Sequence, residues 1–187
     1  MTYRGTMTAV HGMLFGAFFL FAAYAMVLEL FRLWHPHHGA PMSARGRRME
    51  GVYLSVTAGL GWLAVFSGTY LVYPWYRAAP PAGADLHDYP RSLLLASAST
   101  ASLHTLGMEW KEHIAFIAPI AFTALAWIFA RYPHALRRHP EVRRTLLVFG
   151  VTALLSAAVP GVVGAFLNKA APTEEVRSTL TQPARMP

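Results

Sequence analysis

The sequence predicts an all-α integral membrane protein, a four-helix up-down bundle with both termini on the outer side. Three observations predict it. The 187 residues are 55% hydrophobic and only 13% charged, with a mean hydropathy of +0.34, a balance foreign to soluble domains. Four apolar runs, Val10 to Trp34, Val52 to Tyr73, His113 to Tyr132 and Thr145 to Leu167, each match the roughly 20 residues a helix needs to cross a hydrocarbon core.

The third observation is where the arginines fall. Arg32, Arg45, Arg47 and Arg48 follow the first run, and Arg131, Arg137, Arg138, Arg143 and Arg144 follow the third. Only Glu29, Glu50 and Glu141 accompany them, so by the positive-inside rule both short connections are cytoplasmic and the termini and middle loop lie outside. The net charge of +7 is thus a topology signal with anionic lipid at the inner face as its partner, and it does not indicate nucleic acid. The expected location is a bacterial-type inner (cytoplasmic) membrane.

The whole chain, 1–187, reads as one membrane domain. The first span lacks a basic lead-in and a small-residue cleavage site, so it is expected to stay in the mature chain. Arg32 and Trp34 mark its inner end, ahead of the breaker-rich His35-Pro-His-His-Gly-Ala-Pro loop. Span 2 leaves through Tyr70, Tyr73, Trp75 and Tyr76, an aromatic belt. An outer loop over 74–112 follows, with an interfacial helix expected over 91–105 and a break at Gly107. Pro119 and Pro160 should bend spans 3 and 4. Residues 168–187 form a polar tail.

The chain has no cysteine, which excludes disulfides, thiolate metal sites, iron–sulfur clusters and covalent c-type haem attachment. A metal or haem would have to be held by His, Met, Tyr or carboxylate. Depth sorts the nine histidines. His11 and His113 lie at the outer ends of spans 1 and 3, which run in the same direction on diagonal helices of the bundle. Diagonal axes stand roughly 11–14 Å apart, about the gap filled by two imidazoles with an iron between them.

A haem b ligated by His11 and His113 is therefore expected near the outer face. Gly12 and Gly16 form a small-xxx-small face that would let a ring approach. Arg77, Arg91 and Lys111 are cations for its propionates, and Met13, Phe15, Phe18, Trp62 and Phe116 are candidate lining. The alternative for each histidine is an interfacial hydrogen bond, and for each aromatic ordinary packing. Glu109, four residues before His113, offers either a non-haem metal site with His11 and His113 or a hydrogen bond to a ligating imidazole. His104 is a reserve ligand or proton carrier, and Met108 a reserve axial ligand.

His35, His37, His38, His134 and His139 read as interfacial. From His11 to His35 is 24 residues, about 36 Å of helix, which puts His35 beyond the hydrocarbon and argues against a second haem. Glu29, inside span 1, is expected to pair with Arg32.

Four spans with histidines at matched depth on spans 1 and 3 resemble the membrane b-type cytochromes that serve respiratory complexes. The resemblance is one of topology and of His11 and His113, with His104 in reserve; the inner histidine pair of two-haem members has no counterpart within the membrane. It implies a non-catalytic electron-transfer subunit, working with other membrane subunits and passing electrons between quinol or a partner subunit and an outer c-type cytochrome. Two other functions remain open at this point: a metal-handling or assembly protein with an outer His/Glu site, and a cofactor-free structural subunit.

Overall fold

The computed structural model of the chain describes residues 2–34, 43–132, 136 and 139–171. They form four long helices, α1 (3–34), α2 (44–76), α4 (98–131) and α5 (Pro140–Ala170), with a short α3 (Pro90–Leu95) and a 3₁₀ turn (Leu86–Asp88) between α2 and α4. All four long helices are long and apolar enough to cross a membrane, and there is no strand among the described residues. His35, His37, His38, His134, Arg137, Arg138 and residues 172–187 lie outside the described residues.

Each long helix outruns its apolar run, because polar backbone can stay helical beyond the hydrocarbon where its first amides find acceptors. Thr2 and Ser43 supply them, each side-chain oxygen accepting from the amide three residues on, Gly5 at 3.1 Å and Gly46 at 3.0 Å. Pro140 opens α5, where its missing N–H costs nothing.

The third span departs most from expectation. The helix does not break at Gly107, and the expected interfacial helix divides at Ala96 and Ser97: α3 stands apart, while Ala98 onward belongs to α4. Gly107 serves close packing, since a Cβ there would lie 2.8 Å from Val163 Cγ1 on α5. Gly150 does the same toward Leu30, at 2.8 Å, and Gly61 toward Phe19, at 3.0 Å.

These approaches fix the topology. Leu30 meets Gly150 and Leu20 meets Gly161, so α1 and α5 are antiparallel. Phe19 meets Gly61 while Tyr53 donates to the Ala22 carbonyl, so α1 and α2 are antiparallel as well. Trp62 Nε1 donates to Thr123 Oγ1 at 3.0 Å, and α2 runs against α4. The helices follow one another around the bundle, with α1 and α4 on one diagonal and α2 and α5 on the other.

Phe19 and Phe122 meet edge-on across the centre, centroids 5.5 Å apart, among Ala23, Met26, Leu54, Ala118 and Leu125. Large apolar side chains point outward on every long helix, as a hydrocarbon surrounding allows: Phe21 is 73% exposed and Trp127 58%.

Three helices carry a π-helical stretch at one and the same end of the bundle: Val10–Ala17, Gly68–Val72 and Leu103–Met108. Pro74 accounts for the second, because it has no N–H for the Tyr70 carbonyl. Pro119 likewise withholds a partner from Ala115, and α4 loosens into a turn at Ala115 and Phe116. Pro160 sits within an unbroken α5. We call the end with the π stretches the cluster end and the other, with Arg32, Arg48, Arg131 and Arg143, the basic end.

Candidate functional site at the cluster end

Helical phase decides which side chains of α4 enter the bundle. His104 and Met108 are buried, Lys111 and Ala115 partly so, and Ala118, Phe122 and Leu125 continue the same face inward. Leu106, Trp110, His113, Ile117 and Ile120 form the opposite, exposed face. His113 thus points away from the interior, its Nδ1 2.6 Å from the carbonyl oxygen of Glu109 on its own helix.

His11 lies elsewhere. Its ring rests in the space left by Gly68, where a Cβ would come 2.7 Å from Cε1. The Ser67 hydroxyl donates to the Ala64 carbonyl at 3.1 Å, so its oxygen accepts from His11 Nδ1, also at 3.1 Å. His11 faces α2 and His113 faces outward, and the pair expected from depth alone is not assembled. Depth along a helix is only half of a position; a rotation of about 100° per residue supplies the rest.

The haem slot fares no better. Gly12 is exposed, with nothing within 4 Å of a Cβ built on it, and the nearest atom to one on Gly16 is the His11 carbonyl of the same helix. Met13 and Phe18, expected to line the slot, are 70% and 59% exposed. Phe15 is half-buried and Trp62 stacks on Phe66. The residues present do not fit a haem held between His11 and His113 of one chain. Among the described residues no three His, Asp or Glu side chains converge as a metal site would require, so Glu109 does not complete a site with the two histidines.

What the cluster end does assemble is an ionic network centred on Arg77. Its Nη2 donates to Glu112, at 2.9 and 3.1 Å to the two oxygens, and to Glu109 Oε1 at 3.1 Å. Tyr73 donates to Glu112 Oε2 at 2.9 Å, and the guanidinium lies 5.1 Å from the Tyr73 ring centroid. Burial works against the Arg77 charge. The hydrogen bond to Glu112 and the charges of Glu112 and Glu109 outweigh it, and hold the guanidinium pKa above its ordinary value.

A second group adjoins it. His104, 4% exposed, has both ring nitrogens engaged: Arg91 Nε donates to Nε2 at 3.3 Å, which leaves the proton on Nδ1 to reach Tyr76 Oη at 2.9 Å. Arg91 lies on α3, Tyr76 at the end of α2 and His104 on α4, so this triad ties the loop helix to the bundle. Met108 packs with Leu94, Tyr76 and Leu167 in a small apolar cluster beneath. Lys111 reaches across to α5, its Nζ 3.3 Å from a Cβ built on Gly164. Arg4 joins from α1, donating to the Asp88 carbonyl at 3.2 Å and lying over the Trp75 ring.

Arg77, Arg91 and Lys111 are thus at the cluster end as expected, but the two arginines already have partners in the chain itself. Sequence reasoning assigned Tyr73 and Tyr76 to an aromatic belt and missed them as network members. Their spacing from Arg77, four and one residues, carried a partial signal: Tyr73 and Arg77 share a helical face. At the basic end, Glu29 pairs with Arg32 at 3.5 Å, as expected, while Glu50, which the sequence presents only as part of the charge balance there, has its Oε1 buried without a hydrogen bond. His139 pairs with Glu141 at 2.8 Å. No protein-family model, curated protein or solved structure matches this chain, so its reading rests on the geometry above.

Proposed function

We propose that this chain is a non-catalytic, multi-pass subunit of a larger membrane complex, joined to a neighbouring subunit through the outward face of α4. The observation that carries the proposal is the exposed His113 in the apolar stripe of Leu106, Trp110, Ile117 and Ile120. From His113 to Arg131 is 18 residues, about 27 Å of helix, so with Arg131 at one interface His113 lies just within the other. Its Nδ1–H donates to the Glu109 main-chain carbonyl, which leaves Nε2 as the polar ring atom directed into apolar surroundings. Polar groups so placed serve as hydrogen-bonding glue between helices.

The Arg77 network supports this reading by tying the end of α2 to α4 through side chains of the chain itself. The basic end faces the cytoplasm in this proposal, which puts the cluster end outside a bacterial-type inner membrane. His113→Leu should leave the bundle folded but release the subunit from its complex in native electrophoresis of mildly solubilised membranes, and His113→Gln should retain it. A complex of unchanged size in His113→Leu would refute the proposal.

One observation favours a second reading. An imidazole with Nδ1 held by a backbone carbonyl and Nε2 free is oriented as a metal-ligating histidine is. His113 would then give one axial ligand to a haem b lying between this chain and its neighbour. The chain would be the electron-transfer subunit of a respiratory or related complex, with quinol or an outer c-type cytochrome as partner. A reduced-minus-oxidised haem spectrum of the complex that disappears in His113→Ala and survives in His11→Ala supports this reading. A spectrum indifferent to His113 removes it.

A further inference from the structure

At the basic end, between the close of α1 and the opening of α5, an open groove of about 740 Å³ is lined by Trp34, Glu141, Arg144, Thr145, Val148 and Phe149 and ends at Thr152. The groove is shallow and open to the surroundings, and its lining is graded along one face of α5. Charged and hydroxyl groups come first, then Val148 and Phe149, both exposed. From Glu141 to Thr152 the helix rises about 16 Å, close to the half-thickness of a hydrocarbon core of about 30 Å.

Charge identifies the occupant. Glu141 Oε1 lies 2.8 Å from His139 Nδ1 and is thereby turned toward the start of the helix. Arg144 is exposed and makes no hydrogen bond or ion pair among the described residues, and Arg32, Arg48, Arg131 and Arg143 stand at the same end. From Arg144 to Thr152 the groove runs about 12 Å along the helix, and a guanidinium above the exposed Val148 and Phe149 matches an anionic phosphate joined to acyl chains.

We infer that this groove binds an anionic phospholipid, its phosphate on Arg144 and one acyl chain along Val148 and Phe149 beside Trp34. The site is independent of the cluster end and of what His113 contacts. It turns the general basic excess of this end into one defined position.

The chain itself supplies the probe. The full protein is reconstituted in bilayers containing phosphatidylglycerol or phosphatidylcholine with brominated acyl chains, which quench nearby tryptophan. Comparison with Trp34→Phe isolates the Trp34 signal. Brominated phosphatidylglycerol should quench Trp34 at about five-fold lower mole fraction than brominated phosphatidylcholine, the preference expected of one basic group at a membrane surface. Arg144→Gln should bring the two lipids to parity. Equal quenching in the unaltered protein, or a preference that survives in Arg144→Gln, overturns the inference. A second measurement, the lipid retained through purification, should show phosphatidylglycerol enriched over the bulk membrane; no enrichment also overturns it.

Discussion

Arg77→Gln tests the cluster end most sharply. The Arg77 side chain is 31% exposed, Glu112 20% and Glu109 44%. The Glu112 contact is a charge-assisted hydrogen bond largely shielded from solvent, which contributes about 1.5–3 kcal/mol. The Glu109 contact is more open to solvent and adds about 0.2–1 kcal/mol. Removing the guanidinium should therefore destabilise the bundle by about 2–3 kcal/mol, a Tm fall of about 5–10 °C on the scale of domains this size. Much of that loss is the cost of leaving Glu112 charged with no cation, so Glu112→Gln added to Arg77→Gln should recover part of it. Because the guanidinium pKa is raised in the folded state, the Arg77 contribution is fully present below the unfolded pKa and would be lost only as pH rises through the still higher folded one. The charge of Arg77 thus imposes no pH dependence between about pH 6 and 9. Thermal unfolding in mild detergent, followed by circular dichroism, measures all three proteins. A single variant within about 0.5 kcal/mol of the unaltered protein, or a double variant no better than the single one, would refute the reasoning.

Glycine positions separate packing from mere flexibility. Gly107→Ala must push against the stiff, β-branched Val163 and should lower Tm by several degrees, whereas Gly12→Ala meets nothing and should be neutral or slightly stabilising. If the two behave alike under thermal unfolding, the close approach of α4 and α5 is not as described. Thr123→Val removes the acceptor of Trp62 and should cost about 1 kcal/mol while shifting tryptophan emission; an unchanged emission and Tm would count against that bond. His104→Ala should destabilise the bundle by about 2 kcal/mol and loosen α3, seen as faster amide exchange over Pro90–Leu95, while His113→Ala should leave the isolated bundle within about 0.5 kcal/mol. Equal effects from the two histidines would contradict their opposite phases on α4.

The four helices were legible because lipid imposes a signal that survives without any tertiary information: a long apolar run. The diagonal relation of α1 and α4 followed from short connections. The site was less legible, for two reasons that particular residues show. His11 and His113 share a depth, but His113 falls on the face of α4 opposite Ala118, Phe122 and Leu125, and which face enters the bundle is decided by packing against the other helices. Gly107 reads equally as a helix breaker and as a contact glycine, and only the presence of Val163 on another helix decides between them. Glu109 and Glu112 were visible as acids at a membrane lip. Their common cation, 32 and 35 residues earlier in the chain, was assigned to a propionate instead.

At the cluster end Arg77, Arg91, Glu109 and Glu112 are partnered within the chain, and His113 is the group we propose a neighbour meets. Haem titration of the purified single chain tests this arrangement most directly, read by Soret absorption with His11→Ala and His113→Ala alongside. The isolated chain should show no bis-histidine haem spectrum. A stoichiometric bis-histidine spectrum that is lost in each of the two variants would contradict it, and would mean that α4 turns His113 into the bundle.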